Sequence, residues 1–171
     1  LYVWDLAKKK LHRTLSFEKV IAISTPSFSP DGRRIAFSGA QQSGLTDLYI
    51  ADLESGALTA LTSDLYHDRD PDWSPDGARI VFSSDRFAAG REGRYNLFLY
   101  EMASGRISQL SNGKHNDQYP SFSPAGDQIA FSSDRDTMFN LYVTRIEGDR
   151  SATRRLTRVL TGAFDPVWRA D

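Results

Sequence analysis

The sequence predicts an all-β fold, a β-propeller of four-stranded antiparallel blades, here three complete blades plus partial blades at both ends. An aromatic residue followed by a Ser-Pro turn recurs within residues 26–32, 71–77 and 120–126, and a partial copy occupies residues 166–171. The prolines that begin these copies are 45, 49 and 46 residues apart. A repeat of this length fits four short strands with their turns. No segment shows helical periodicity, so each repeat is predicted to be a β-meander.

Each repeat has the same internal order. The first strand carries one aromatic residue, and a Pro-Asp-Gly turn follows, in which proline presets φ and glycine takes the left-handed position. The second strand alternates, so its Ile and Phe side chains share a face at residues 34–38, 79–83 and 128–132. A third strand begins with Asp-Leu or Asn-Leu, and a fourth ends in Leu-Thr or Leu-Ser. In the third copy Ala125 replaces the turn Asp, so we expect that turn to lose a side-chain hydrogen bond and to keep Gly126.

A β-sandwich with incidental similarity between its strands is the alternative fold. A sandwich does not require a whole four-strand unit to be copied at one period along the chain. The regular repeat therefore favours the propeller.

Composition excludes several functional classes. The 171 residues carry a net charge of −1, and 40% of them are hydrophobic. These values are unlike those of a disordered chain, and they argue against broad nucleic-acid or membrane-surface binding, because both depend on excess Lys and Arg. The chain contains no cysteine, which excludes disulfides and thiolate metal sites. Its apolar runs are far shorter than the about 20 residues that cross a bilayer, so we expect no membrane insertion.

These motifs resemble the TolB-like (WD40-like) β-propeller repeat family. The resemblance rests on the Ser-Pro-Asp-Gly turn after an aromatic residue, on Ile-Ala-Phe-Ser-Ser-Asp-Arg at residues 129–135, on Asn-Leu-Tyr at residues 140–142 and on the closing Leu-Thr at residues 156–157. It extends over essentially the whole chain. Such repeats occur in periplasmic TolB, in the propeller domains of tricorn-like and prolyl-oligopeptidase-like proteases and in cell-envelope proteins. The resemblance implies an interaction or gating domain rather than a particular chemistry.

The repeat divides the chain into five predicted segments. Residues 1–20 match the end of a preceding blade, and residues 159–171 match the first strand of a following blade. Complete blades are predicted at residues 21–62, 63–111 and 112–158. A blade assembled from both termini would lack its second strand, so a closed ring of four blades is a poor fit. We therefore expect a fragment of a larger propeller of about six to eight blades, with the remaining blades as partners.

The loops that enter the first strand of each blade form one predicted binding surface. Such loops rim the channel of a propeller, and we name residues 62–70, 111–119 and 161–165 the channel-face loops. The predicted partner-binding residues in them are His67, Asp68, Asp70, His115, Asn116, Asp117, Phe164 and Asp165. The two histidines with Asp70 and Asp117 also supply the donors of a carboxylate–histidine metal site, but without a fixed ligand spacing. Solvated side chains that cap turns are the alternative, and we predict no metal site.

The loop between the second and third strands of blade two is the second candidate surface. It spans residues 85–95 and accounts for the 49-residue spacing. Its predicted partner-binding residues are Phe87, Arg91, Arg94 and Tyr95. Arg and aromatic side chains are enriched at interface hot spots, which favours partner binding by this loop. The alternative is that the loop is a surface insertion without a partner. The Asp-Arg pairs at residues 85–86 and 134–135 follow equivalent strands, so we predict structural salt bridges there.

Known catalytic signatures are absent from the sequence. It contains no Gly-x-Ser-x-Gly nucleophile motif, no phosphate-binding Gly-Lys-Ser/Thr loop and no dinucleotide fingerprint, so we expect neither catalysis nor a cofactor. The expected function is a TolB-like scaffold that binds a protein or peptide, located by resemblance in the periplasm or cell envelope. One alternative is the gating domain of a serine peptidase whose catalytic domain lies outside this chain. A metal-assisted polysaccharide lyase is a third interpretation.

Overall fold

A computed structural model describes residues 1–86, 94–147 and 153–169. These residues form fourteen strands and no helix. The strands are β1 (Tyr2–Asp5), β2 (Lys10–Thr14), β3 (Ala22–Phe28), β4 (Arg34–Ala40), β5 (Thr46–Asp52), β6 (Leu58–Ala60), β7 (Asp68–Trp73), β8 (Arg79–Ser84), β9 (Asn96–Glu101), β10 (Ile107–Gln109), β11 (Asp117–Phe122), β12 (Gln128–Ser133), β13 (Asn140–Arg145) and β14 (Arg154–Arg155). Within the described ranges there is accordingly no helix that could span a membrane.

The strands form antiparallel sheets in which sequence neighbours are also spatial neighbours. β1 pairs with β2, while β3–β6, β7–β10 and β11–β14 each form one four-stranded sheet in simple meander order. Short turns are sufficient for such antiparallel connections. The structure therefore confirms the predicted all-β fold of four-stranded antiparallel blades. We call the three complete sheets blades one, two and three.

The central strands of each blade are buried on both faces. In β4, residues 35–39 are all buried, although Ile35 and Phe37 point to one face and Ala36 and Ser38 to the other. A sheet with one solvated face would instead alternate between buried and exposed positions. The hydrophobic core therefore lies between neighbouring blades rather than within any one of them.

An aromatic pair marks the centre of each blade. The phenylalanine of the second strand is fully buried at all three equivalent positions. Its ring packs against an aromatic ring of the third strand, which adds geometric preference to the burial of apolar area. The ring centroids are 5.8, 5.8 and 6.0 Å apart in the pairs Phe37–Tyr49, Phe82–Phe98 and Phe131–Tyr142.

The turn after the first strand is held by its serine. In blade one, Ser29 Oγ donates a hydrogen bond to Asp31 Oδ1 at 2.6 Å and accepts one from the Arg34 backbone N–H at 2.9 Å. Gly32 has φ +67°, the left-handed conformation that the motif predicts for glycine. The serine therefore joins both ends of the turn.

Blade three reaches the same arrangement with a different acid. Ser123 Oγ donates to Asp127 Oδ1 at 2.9 Å, and the Gln128 backbone N–H donates to Ser123 Oγ at 3.1 Å. Ala125 therefore removes the acceptor that binds a backbone N–H in the other two turns, from Arg33 and Ala78, but the serine keeps a carboxylate partner. The reason is that the turn geometry brings a carboxylate two residues further along the chain within reach of the same hydroxyl.

The residue before each repeat proline has a left-handed backbone. Its φ is +47° at Thr25, +56° at Asp70, +53° at Tyr119 and +53° at Asp165. The pairing register shifts at this point in β3, β7 and β11, as a bulge requires. A residue before proline normally avoids this region, and the conformation costs about 1–3 kcal/mol outside glycine. The neighbouring strands must therefore impose it in every repeat.

Asp72 connects three consecutive blades. Ser27 Oγ in β3 donates to Asp72 Oδ1 at 3.0 Å, and the Phe122 backbone N–H in β11 donates to Asp72 Oδ2 at 2.8 Å. Burial raises the pKa of Asp72, while these two donors oppose the rise. One carboxylate thus fixes the innermost strands of blades one and three to blade two.

We expect Asp72→Ala to lower the free energy of unfolding by about 2 kcal/mol, because two hydrogen bonds to a charged acceptor are lost. Asp72→Asn preserves the shape and one acceptor oxygen, so its loss should be smaller. Urea unfolding followed by tryptophan fluorescence measures both. The exposed Glu18 is the control, and Glu18→Ala should change stability by less than about 0.5 kcal/mol. Equal stability of Asp72→Ala and the unmodified protein would contradict the bridging role.

Candidate functional site

Four side chains of the channel-face loops come together where three repeats meet. Asp70 and Tyr119 are the left-handed residues of β7 and β11, and Phe164 and Asp165 approach from the C-terminal segment. The ring centroids of Tyr119 and Phe164 are 6.3 Å apart in an edge-on arrangement. Asp165 is close enough for its charge to raise the pKa of Asp70. We name Asp70, Tyr119, Phe164 and Asp165 the rim patch.

Asp70 has an unused acceptor although it is almost fully buried. Its residual exposure is 7%, and its Oδ2 atom has no hydrogen-bond partner. The Arg69 Nε atom lies 3.7 Å away, which is beyond a hydrogen bond. Burial raises the pKa of Asp70, while the charge of Arg69 and the Tyr119 backbone N–H lower it. A buried carboxylate oxygen of this kind is costly unless a donor binds it.

An aromatic cluster borders this acid. Phe164 packs against Phe139 with ring centroids 4.9 Å apart, and Tyr119 meets the other side of Phe164. Phe164 is nevertheless 52% exposed. The patch therefore combines a carboxylate with accessible aromatic surface, a combination that suits a cationic or amphipathic partner.

Tyr95 joins the second predicted surface to this site. The Arg69 guanidinium stacks over the Tyr95 ring at 3.9 Å from its centroid, and Arg69 is also the cation next to Asp70. The Tyr95 backbone N–H donates to Asn116 Oδ1 at 3.2 Å, and the Tyr95 carbonyl accepts from the Asp117 N–H at 2.8 Å. The two surfaces that the sequence separates are thus adjacent at this residue.

The other predicted residues of the blade-two loop divide into two groups. The Arg94 guanidinium donates to the Lys114 carbonyl, which attaches the end of the loop to the neighbouring channel-face loop. Phe87 and Arg91 lie outside the described residues, so their role as partner-binding residues stays a prediction.

His67 and Asn116 use their backbones to fix the channel-face loops. The His67 N–H donates to Asp85 Oδ1 at 2.7 Å, and the Asn116 N–H donates to Asp134 Oδ1 at 2.7 Å. The Asn116 side-chain amide also donates to Asp134 at 2.8 Å. Asp85 and Asp134 thus act as loop caps, while the arginines that follow them form the ion pairs.

Asp68 and Asp117 are equivalent acids that are both fully buried. Each pairs across its own sheet with an arginine, Asp68 with Arg86 and Asp117 with Arg135, the latter at 2.9 Å. Burial raises the pKa of Asp68, and the Ser84 hydroxyl and the Arg86 charge only partly oppose it. Burial also acts on Asp117, but His115 and Arg135 outweigh it and lower the pKa of that carboxyl. Neither carboxylate is exposed in this conformation.

The suggested carboxylate–histidine metal set does not assemble. His115 Nε2 lies 3.6 Å from Asp117 Oδ2, so these two residues are paired. However, the metal-type grouping that the described residues do form consists of Asp47, Asp64 and Asp68. The His67 backbone N–H binds Asp85 and the His115 side chain pairs with Asp117, so the two histidines engage different acids.

Arg69, Tyr119 and Phe139 are the residues of the site that sequence reasoning did not select. A usable signal exists for Tyr119, since it precedes a repeat proline, as Asp70 and Asp165 do. Phe139 reaches the site by packing against Phe164, and Arg69 does so by stacking on Tyr95 within blade two. No local motif records either contact.

We expect Asp70→Asn to raise the free energy of unfolding at pH 7 by about 1 kcal/mol, because an amide replaces a buried carboxylate. The folded-state pKa of Asp70 is raised above its ordinary 3.8. The advantage of the variant should therefore shrink as the pH falls through that raised pKa, and it should vanish below 3.8, where the acid is protonated in both states. Urea unfolding at a series of pH values measures the difference.

Asp117→Asn is the matched control with the opposite sign. The pKa of Asp117 is lowered in the folded state, so its carboxylate stabilises the fold above 3.8. This variant should be less stable than the unmodified protein at pH 7, and the deficit should decrease as the pH falls through the lowered pKa. An Asp70→Asn protein that is less stable at pH 7 would contradict the assignment of Asp70 as an under-satisfied acid.

Solved structures share this architecture. A putative TolB from Agrobacterium tumefaciens has a TM-score of 0.83 and 23% identity, covering 96% of this chain and 57% of that one. TolB from Acinetobacter baumannii has a TM-score of 0.74 and 23% identity, covering 91% and 37%. A puromycin hydrolase has a TM-score of 0.67 and 21% identity, covering 88% and 24%. The chain thus spans well under two thirds of each structure, and these identities show the fold alone.

Two family models match the sequence. The TolB beta propeller domain matches residues 1–91, and the N-terminal region of dipeptidyl peptidase IV (DPP IV) matches residues 74–165. No curated protein matches the chain. The first match extends over more than half of the 171 residues and agrees with the blade geometry and the TolB structures. The chain therefore belongs to the TolB β-propeller family.

Proposed function

We propose that this chain is a non-catalytic propeller segment that binds a protein or peptide through the rim patch. The observation that carries the proposal is the buried Asp70, whose Oδ2 atom lacks a hydrogen-bond partner beside exposed aromatic surface. Asp165 is exposed beside Asp70, so a cationic ligand would meet an accessible carboxylate next to the under-satisfied one. Affinity would come largely from the aromatic side chains, which dominate interface hot spots.

The backbone of the site supports the same proposal. Asp70, Tyr119 and Asp165 all hold a left-handed φ before proline. The repeat imposes this conformation on the residue before each of its prolines, Thr25 included, so the fold fixes the backbone of these three residues. Their side chains are therefore held in place before a ligand arrives, which reduces the entropy cost of binding.

The exposed surface at Phe28 in blade one indicates a second partner, namely the remaining blades of a larger propeller. Phe28 is 55% exposed, whereas Trp73 and Phe122, the equivalent aromatics of blades two and three, are each 5% exposed. Those two are covered by the preceding blade, and Arg34 of blade one stacks over Trp73 at 4.7 Å. A preceding complete blade would cover Phe28 in the same way. With the boundaries proposed above, residues 21–62, 63–111 and 112–158 are then three blades of that ring.

One observation favours a second candidate function. The N-terminal region of dipeptidyl peptidase IV matches residues 74–165, and a puromycin hydrolase shares the fold. The chain would then be the propeller that controls access to a serine peptidase domain encoded elsewhere in the same gene. In either function the expected location is the periplasm or cell envelope, by likeness to TolB, and the ligand is a polypeptide rather than a nucleic acid.

A random peptide library displayed on phage provides a ligand for the rim patch. Peptides selected on the unmodified protein should lose at least tenfold in affinity with Phe164→Ala or Tyr119→Ala, as measured by biolayer interferometry. They should be enriched in Lys or Arg because of Asp70 and Asp165. Tyr2→Ala is the control, since Tyr2 is an exposed aromatic residue on β1. Peptides whose affinity is unchanged by both rim variants would contradict the proposed site.

The peptidase alternative has its own readout. If the natural full-length protein is a serine peptidase, a fluorophosphonate probe should label it at a nucleophilic serine outside residues 1–171. Labelling would favour the gating function, and full-length protein that stays unlabelled under conditions that label a control hydrolase would exclude it.

A further inference from the structure

Three carboxylates meet at the junction between blades one and two. Asp47 is the second residue of β5, Asp64 lies in the loop between β6 and β7, and Asp68 is the first residue of β7. One carboxylate oxygen from each lies within 4.8 Å of the others. Asp47 is 1% exposed and Asp68 is fully buried. Asp68 precedes Asp70 of the rim patch by two residues in β7, but the proposed function does not use this group.

The charge of this junction is not balanced. Among the described residues, which omit 87–93, Arg86 is the cation in contact with the group, through Asp64 Oδ2 at 3.2 Å and through Asp68 Oδ2. Three carboxylates and one guanidinium leave two negative charges if all are ionised. The equivalent junction between blades two and three has Asn96 and Gly113 in place of Asp47 and Asp64, and the ion pair of Asp117 with Arg135 is balanced there.

Asp68 retains a free acceptor within this group. Arg86 binds its Oδ2 atom, whereas its Oδ1 atom is buried and has no hydrogen-bond partner. A buried carboxylate oxygen without a donor is unfavourable, because its lost hydration is not replaced. Asp68 could thus keep its ion pair through one oxygen and bind a ligand through the other.

Both oxygens of Asp47 accept hydrogen bonds, and only the role of Oδ1 has a counterpart at an amide in another blade. The Gln41 side-chain amide donates to Asp47 Oδ2. Asp47 Oδ1 accepts a hydrogen bond from Thr62 Oγ1 at 3.2 Å. At the equivalent position of blade three, Asn140 Oδ1 accepts from Thr157 Oγ1 at 3.0 Å and from the Val159 N–H at 2.9 Å. A neutral amide therefore holds the same loop. Asp47 is 1% exposed, so a carboxylate there is more costly than an amide in the absence of a counter-charge.

We propose that Asp47, Asp64 and Asp68 bind a divalent cation, preferentially Ca²⁺, at the junction of blades one and two. The donors are all oxygen atoms, which select hard cations, and two positive charges match the two unbalanced negative charges. Three carboxylates favour Ca²⁺, because Mg²⁺ usually takes one or two and keeps several waters. Since the ligands come from both blades, the cation stabilises their contact.

Isothermal titration calorimetry of the chelator-treated protein with CaCl₂ tests the proposal. We expect one Ca²⁺ per chain, weaker binding of Mg²⁺ in a parallel titration, and a higher melting temperature with Ca²⁺. The Asp47→Asn variant introduces the residue that blades two and three carry at this position. It should stay folded, should bind Ca²⁺ at least tenfold more weakly, and without Ca²⁺ should melt no lower than the unmodified protein.

Asp70→Asn is the matched control, because it removes another buried acid from the same strand. It should bind Ca²⁺ as the unmodified protein does. Absence of heat at millimolar Ca²⁺, tighter binding of Mg²⁺ than of Ca²⁺, or a folded Asp47→Asn protein with unchanged Ca²⁺ affinity would each overturn the proposal. Loss of peptide binding by rim variants with intact Ca²⁺ binding would show that the two sites are independent.

Discussion

Burial of the central strands on both faces is the constraint on which the rest of this structure depends. Residues 35–39 of β4 are buried although successive side chains point in opposite directions, so one blade cannot complete its own core. Stability arises at the contacts between blades, as in other repeat proteins in which each unit packs against its neighbours. The aromatic pair in each blade, such as Phe37 with Tyr49, is one half of such a contact.

The blades share one framework, and they differ from one another in the polar side chains at equivalent positions. Asp72 bridges three blades where its neighbours have serine, and Asp47 introduces a carboxylate where Asn96 and Asn140 stand in the other blades. The framework tolerates these acids because it already provides donors at those positions. Each junction can therefore acquire a separate function without a change of fold.

The rim patch shows how the same framework produces the surface that we propose as a binding site. The bulge before each repeat proline turns one side chain per blade out of the regular alternation of its strand. Where this side chain is Asp70 or Tyr119, neighbouring blades deliver an acid and an aromatic ring to one place. The strain is supported by inter-blade packing, so the proposed binding would depend on the same contacts as stability.

The sequence by itself determined the elements of the fold, because their causes are local. Proline and glycine at fixed offsets specify the turns, alternation specifies the strands, and the period specifies the blade. It also determined that Asp85–Arg86 and Asp134–Arg135 are structural, since both pairs recur after equivalent strands.

Only the tertiary structure determines whether the pKa of a buried acid is raised or lowered. Asp68 and Asp117 occupy the same position in the repeat, yet the pKa of the first is raised and that of the second is lowered. The difference comes from residues of adjoining blades and loops, such as Asp64 beside one and His115 beside the other. Burial and charge act through space, and a repeat in sequence does not record which side chains meet across a blade junction.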